Sequence, residues 1–236
     1  MPGETTKGPT LDLNADSISG VLDGDSLETW SGDNGGATFV QATAGSRPKY
    51  WAGLGPIAGA AVYFDGANDN MKSSSIMSSI VGASEFHVFV VAAVAEATAG
   101  GGANPFENET LLSQSAVDKW AVTFRAGNPD AGVCLHDGAT QDAIFKYTGL
   151  ENAWALYEFS HNGAEILCRI NGQPGSPTSA GSCSDLTGTI YLGTDSGTAY
   201  FFKGYLARLV VYNAALSEDE AQLVRESLNT LYGLYA

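Results

Sequence analysis

The 236 residues are 44% hydrophobic and 16% charged, which supplies apolar material for a core and excludes both a disordered acidic chain and a coiled coil. Eleven Lys and Arg against 26 Asp and Glu leave a net charge of −15, so phosphate backbones and anionic lipid surfaces are poor partners, and neither nucleic acid nor a membrane is expected. The longest apolar run, Val88 to Ala95, is less than half of the roughly 20 residues that a membrane helix needs.

In chain order, residues 1–9 are polar with two prolines and are read as a flexible arm or attachment strand, with one folded unit over residues 10–236. The opening MPGETTKGPT has no basic start followed by an apolar stretch, so no secretory leader is expected. Asp12, Asn14, Asp16 and Asp23 fall at positions 1, 3, 5 and 12 of a calcium loop. Position 6, where the loop's sharp turn demands Gly, is Ser17, so the spacing favours a structural role, with calcium as the alternative.

The run Phe86–Val94 is apolar on both alternating faces and predicts a central strand covered on both sides. Residues 96–109 follow as a long Gly/Ala-rich loop, in which Asn104, Pro105, Phe106 and Glu107 form a candidate contact tip. Strands are then predicted at 120–125, 153–160, 165–170, 189–193 and 205–212. Asn162-Gly163 and Asn171-Gly172 predict tight hairpin turns with positive φ, hence antiparallel pairing. Residues 172–185 form a second long connection with the same two readings, disorder or contact. GTDSGTAY at 193–200 has the sialidase-type spacing of Asp195, Gly197 and Tyr200, but Gly193 stands where that repeat has Ser, and it reads as a turn.

Ser217 and Glu220 have the capping-box spacing, and Ala221, Val224, Leu228 and Leu231 repeat as one apolar stripe before Gly233. They predict a terminal helix lying on the sandwich, with Glu218, Asp219 and Glu220 complementing its dipole. His87, His136 and His161 lack partner motifs and are expected at the surface or in turns. Trp120 and Trp154 are expected in the core, whereas Trp30 and Tyr50-Trp51 lie near turns and are candidates for exposure. Cys134, Cys168 and Cys183 are read as buried thiols, with a Cys168–Cys183 bridge as the alternative.

The segment FKGYLARLVVYNAALSEDEAQLVRESLNTLYG resembles the closing strand and helix of laminin G-like jelly-roll domains of the concanavalin A-like lectin and glucanase superfamily. LDLNADSI, LETWSGDNGG, QATAGSRPKYW and AAVYFDGANDNMKSS resemble, in order, the opening blocks of the same domains as found in bacteriophage virion proteins and bacterial surface proteins. The last of these reads physically as two strands around a Gly/Asn/Asp hairpin corner. The resemblance implies an all-β fold, a two-sheet antiparallel jelly-roll sandwich with one C-terminal α-helix.

Glycan-cleaving members resemble one another in an ExDxxE strand, which this sequence lacks. Glu107 and Glu109 sit in a loop without a third acid, a poor way to hold two carboxylates at the fixed separation that glycoside hydrolysis requires. The resemblance therefore implies a noncatalytic binding or assembly module needing no cofactor. Its first expectation is a virion accessory protein, either capsid decoration or a tail or fibre component, with protein partners in the particle and homo-oligomers among its assemblies. The alternative is a lectin-like module binding a surface carbohydrate, outside the cell or at its surface.

Overall fold

The structure is a computed structural model that describes residues 7–35, 37–73, 85–95, 109–114, 121–124, 131–135, 145–147, 150, 152–179, 189–195, 197 and 199–236. In chain order its strands are β1 (Leu11–Asn14), β2 (Thr29–Ser31), β3 (Thr38–Val40), β4 (Lys49–Trp51), β5 (Ala61–Asp65), β6 (Met71–Ser73), β7 (Glu85–Val94), β8 (Glu109–Gln114), β9 (Ala121–Phe124), β10 (Ala131–Leu135), β11 (Phe145–Tyr147), β12 (Trp154–Asn162), β13 (Glu165–Ile170), β14 (Gln173–Pro174), β15 (Thr178–Ser179), β16 (Ile190–Leu192) and β17 (Lys203–Tyr212). One helix, α1 (Glu218–Tyr232), closes the chain among the described residues.

Two antiparallel sheets form the sandwich. The first runs β14-β13-β12-β7-β17-β5-β4, with β1 added on β17 and β15 on β13. The second runs β11-β10-β9-β8-β16-β6-β3-β2. Between them lies a core fed by alternate residues of both layers: Val88, Val90, Tyr157, Phe159, Leu209 and Val211 from the first, Phe39, Leu112, Val122 and Phe124 from the second. Phe124 stacks edge-on against Tyr157 at 5.0 Å across the gap, a geometry that matches the ring quadrupoles.

The expectation for residues 86–94 holds because both faces of β7 have something to bury. Its even residues enter the inter-sheet core. Phe89 and Val91 face the other way and join a second cluster with Leu156, Val210, Val224 and Leu228 beneath α1. The helix thus covers the outer face of the first sheet. Ser217 accepts from the Glu220 backbone while Glu220 reaches back to the Ser217 N–H, and Gly233 ends the helix at φ 59°. One stripe residue departs from the reading: Leu231 is exposed, and Tyr232 is buried in its place.

β17 carries an irregularity that explains an odd spacing in the sequence. Its register shifts between Leu206 and Arg208, so Leu206 and Leu209, three apart, both face the inter-sheet core, while Ala207 falls in the cluster under the helix. A bulge does this by doubling the residues on one side. It also marks where the strand changes partner along one edge, from β5 at residues 203–206 to β1 at residues 208–211.

The two Asn-Gly turns differ. Asn171 and Gly172 both adopt positive φ, 50° and 75°, as a two-residue β13–β14 hairpin requires. At the β12–β13 turn only Gly163 does, at 88°, and the Asn162 side chain instead accepts from the Ala164 and Glu165 N–H groups.

The Asp65–Asn70 turn was expected to be a hairpin corner. It is an arch: β5 belongs to the first sheet and β6 to the second. Asp65 Oδ1 accepts from the N–H groups of Ala67 and Asn68, and Asp69 Oδ2 accepts from Asp65 N–H at 3.0 Å. Burial, then the neighbouring Asp65 charge, pushes the Asp69 carboxyl up to about 6. Its folded value exceeds the unfolded one, so its contribution to stability is complete below about 4 and is lost as the pH rises through 6. The Asp69→Asn variant is expected to lose that slope, measured as the difference between wild-type and variant urea midpoints from pH 4 to 7. Parallel curves would refute the assignment.

Candidate carbohydrate-binding cleft

β1 directs Leu11 and Leu13 into the core, which turns Asp12 and Asn14 to the opposite face. The chain then makes a single 3-10 turn, Ala15–Ser17, capped by Asn14 Oδ1 accepting from Asp16 N–H. From the other sheet, the turn after β2 approaches so closely that Asp33 N–H donates to the Asp12 carbonyl at 2.8 Å. Gly32 makes the approach feasible. A Cβ there would stand 3.3 Å from Leu11 Cδ1 and 3.4 Å from the Asp12 carbonyl oxygen.

This stitch between the sheets borders a cleft of about 340 Å³, lined by Asn14, Ser17, Ser19, Thr29, Trp30, Ser31 and Asp33 with Ile18, Val21 and Gly32. Asp33 Oδ2 accepts from Ser17 Oγ at 2.8 Å and from Asn14 Nδ2 at 3.3 Å. Trp30 is 1% exposed, and its indole N–H has no hydrogen-bond partner among the described residues. The cleft therefore offers hydroxyls, an amide and one carboxylate above a buried indole.

The four residues of the calcium-loop spacing are otherwise engaged. Both oxygens of Asp12 accept from Arg208, at 2.8 Å each. Asn14 serves the turn and Asp33. Asp16 Oδ1 accepts from Ala60 N–H at 2.7 Å, and Asp23 Oδ1 from Ala52 N–H at 2.6 Å. Among the described residues no group of three or more His, Cys, Asp or Glu is placed to hold a metal ion. Asn104, Pro105, Phe106 and Glu107 lie outside the described residues, as do Trp120, His136 and Cys183.

Several expectations are corrected. Trp30 and Tyr50 are buried rather than exposed, and Trp51 is half-buried. His87 and His161 are buried as well, at 3% and 0% exposure. His161 stacks on Phe86 in the core. His87 Nε2 donates to Glu158 Oε1 at 2.8 Å. Glu158 also accepts two hydrogen bonds from Arg225, at 3.0 Å each, and one from Arg169 at 3.4 Å. Arg169 and Arg225 both continue to Glu218 at the start of α1. Burial alone would raise the Glu158 carboxyl, but the His87 hydrogen bond and the charges of His87, Arg225 and Arg169 hold it below its ordinary value. This cluster fastens the helix to the sheet. Burial, assisted by the Glu158 charge, pushes the Cys168 thiol well above the usual range. In the GTDSGTAY segment Thr194 Oγ1 and the Asp195 N–H both donate to the Ala199 carbonyl, at 2.6 and 3.1 Å.

Two antiparallel sheets stacked as a sandwich with one C-terminal helix define a jelly-roll class of domain. The chain belongs to the concanavalin A-like lectin/glucanases superfamily, whose laminin G-type family it matches over residues 104–222. A search of the curated proteins finds no sequence relative. Among solved structures it is similar to domain 4 of AbnA, a GH43 extracellular arabinanase from Geobacillus stearothermophilus, in complex with arabinotriose. That match has 14% identity and TM-score 0.63, covering 94% of this chain and 98% of that one. It is also similar to the binding domain of Paraclostridial Mosquitocidal Protein 1 at 13% identity and TM-score 0.65, covering 94% and 52%. The botulinum neurotoxin serotype D ligand binding domain, in complex with N-acetylneuraminic acid, matches at 14% identity and TM-score 0.57, covering 92% and 50%. This chain thus spans about half the length of those toxin domains. At such identities the likeness is one of fold.

Proposed function

We propose that this chain is a noncatalytic carbohydrate-binding module of lectin type, with the cleft between Asn14 and Asp33 as its sugar site. The observation that carries the reading is the cleft's lining, hydroxyl, amide and carboxylate groups gathered between β1 and β2 above the buried Trp30. Sugars are recognised by such convergent polar groups in a concave site. Two structural relatives hold saccharides in their solved complexes, which supports the sugar-binding reading over particle assembly, the first expectation from the resemblance.

The test is a glycan array followed by calorimetry on the purified chain. Saturable binding displaced by free sugar is expected, weakened about tenfold or more by Ser17→Ala, which removes a hydrogen bond orienting Asp33. No reducing ends should be released from polysaccharide panels. An array silent throughout, or turnover of any glycan, would overturn the reading.

A further inference from the structure

Resting on that reading, we propose that the cleft selects uncharged saccharides and turns away sialylated and uronate ones, with Asp33 as the selecting group. Among the described residues the lining contains one carboxylate, Asp33, and neither Lys, Arg nor His. Arg208, the cation beside β1, is consumed by both oxygens of Asp12. An acidic sugar would therefore bring its charge to a carboxylate with no cation in the lining to pair it, on a chain of net charge −15.

The geometry of Asp33 favours a neutral ligand in a positive sense too. Its Oδ2 is occupied by Ser17 and Asn14, which hold the carboxylate in one orientation. Its Oδ1 accepts no hydrogen bond from the described residues and stands at an exposed position. A sugar hydroxyl donating there makes a charge-assisted bond, the stronger kind. A hydroxyl both donates and accepts, so it can give its proton to Asp33 Oδ1, whereas an ionised carboxylate only accepts. Trp30 forms the buried floor of the cleft at 1% exposure and belongs to the inter-sheet core.

The experiment uses an array of matched pairs, each neutral oligosaccharide printed beside its sialylated or uronate counterpart, followed by titration of the strongest pair at low and high salt. Neutral members are expected to bind about tenfold or more tightly than their acidic partners, with a gap that narrows in salt. Asp33→Asn keeps an acceptor but removes the charge, so it should weaken the neutral member and strengthen the acidic one. Acidic members bound as tightly as neutral ones, with binding still abolished by Asp33→Ala, would place sugar in this cleft and overturn the selectivity alone. Binding untouched by Asp33→Ala would overturn the assignment of the cleft, and silence across all pairs would overturn the proposed function itself.

Discussion

Replacing Glu158 with alanine is expected to cost about 3–5 kcal/mol of unfolding free energy, because it strips a buried anion from partners that stay behind. Glu158 is 1% exposed and accepts from His87, Arg169 and Arg225. Without it, Arg225 keeps only Glu218, whose side chain is largely exposed. Equilibrium urea unfolding at pH 7 is the measurement, and a loss below about 1 kcal/mol would contradict a buried-charge origin. The pH dependence gives a second reading. The folded carboxyl lies below its ordinary value of 4.5, so its stabilisation is fully present above that value and is lost as the pH falls through the folded one. Wild-type protein should therefore lose more stability on acidification than the Glu158→Gln variant.

The Asp12–Arg208 pair is expected to behave similarly when broken and differently when removed whole. The pair is buried, bidentate, and joins β1 to β17 across 196 residues of sequence. Burial alone would lower the Arg208 guanidinium, yet the Asp12 hydrogen bonds and charge hold it above its ordinary value. Asp12→Ala leaves that cation buried and should cost about 3–5 kcal/mol. The double variant Asp12→Leu/Arg208→Met should recover most of the loss, because two apolar side chains of similar size carry no desolvation penalty. Denaturant midpoints of Asp12→Leu, Arg208→Met and the double variant complete the cycle, with Asp12→Ala measured beside them. A double variant no better than Asp12→Ala would show that the pair's geometry, not its charge, holds the seam.

What was legible in the sequence was whatever is decided locally. The doubly apolar run of β7, the Ser217/Glu220 cap and the positive φ at Asn171-Gly172 each depend on residues a few positions apart, and each is found in the structure. The superfamily fold was legible from the order of the blocks. Partners distant in sequence were not. Nothing near His87 announces Glu158, 71 residues away, so its burial reads as exposure until the sheet is assembled. The turn residues Asp65 to Asn70 suit a hairpin and an arch equally, and which one forms depends on whether β6 pairs with β5 or with β3 and β16. The cleft was half visible. Asn14 stood out through its ligand-like spacing, but Asp33 sits in a plain Gly-rich turn, and only the approach of β2 to β1 brings the two together.

The position of β17 bears on how the polypeptide comes together during synthesis. It sits between β7 on one edge and β5 and β1 on the other, yet it follows every strand it pairs with in sequence. Until residues 203–212 emerge, the nascent layer has a gap at its middle, and β1 lacks the strand that it pairs with here. Closure must follow synthesis of β17, in a step limited by the entropy of joining remote segments. Open strand edges exposed in that interval are the species on which a chaperone would act.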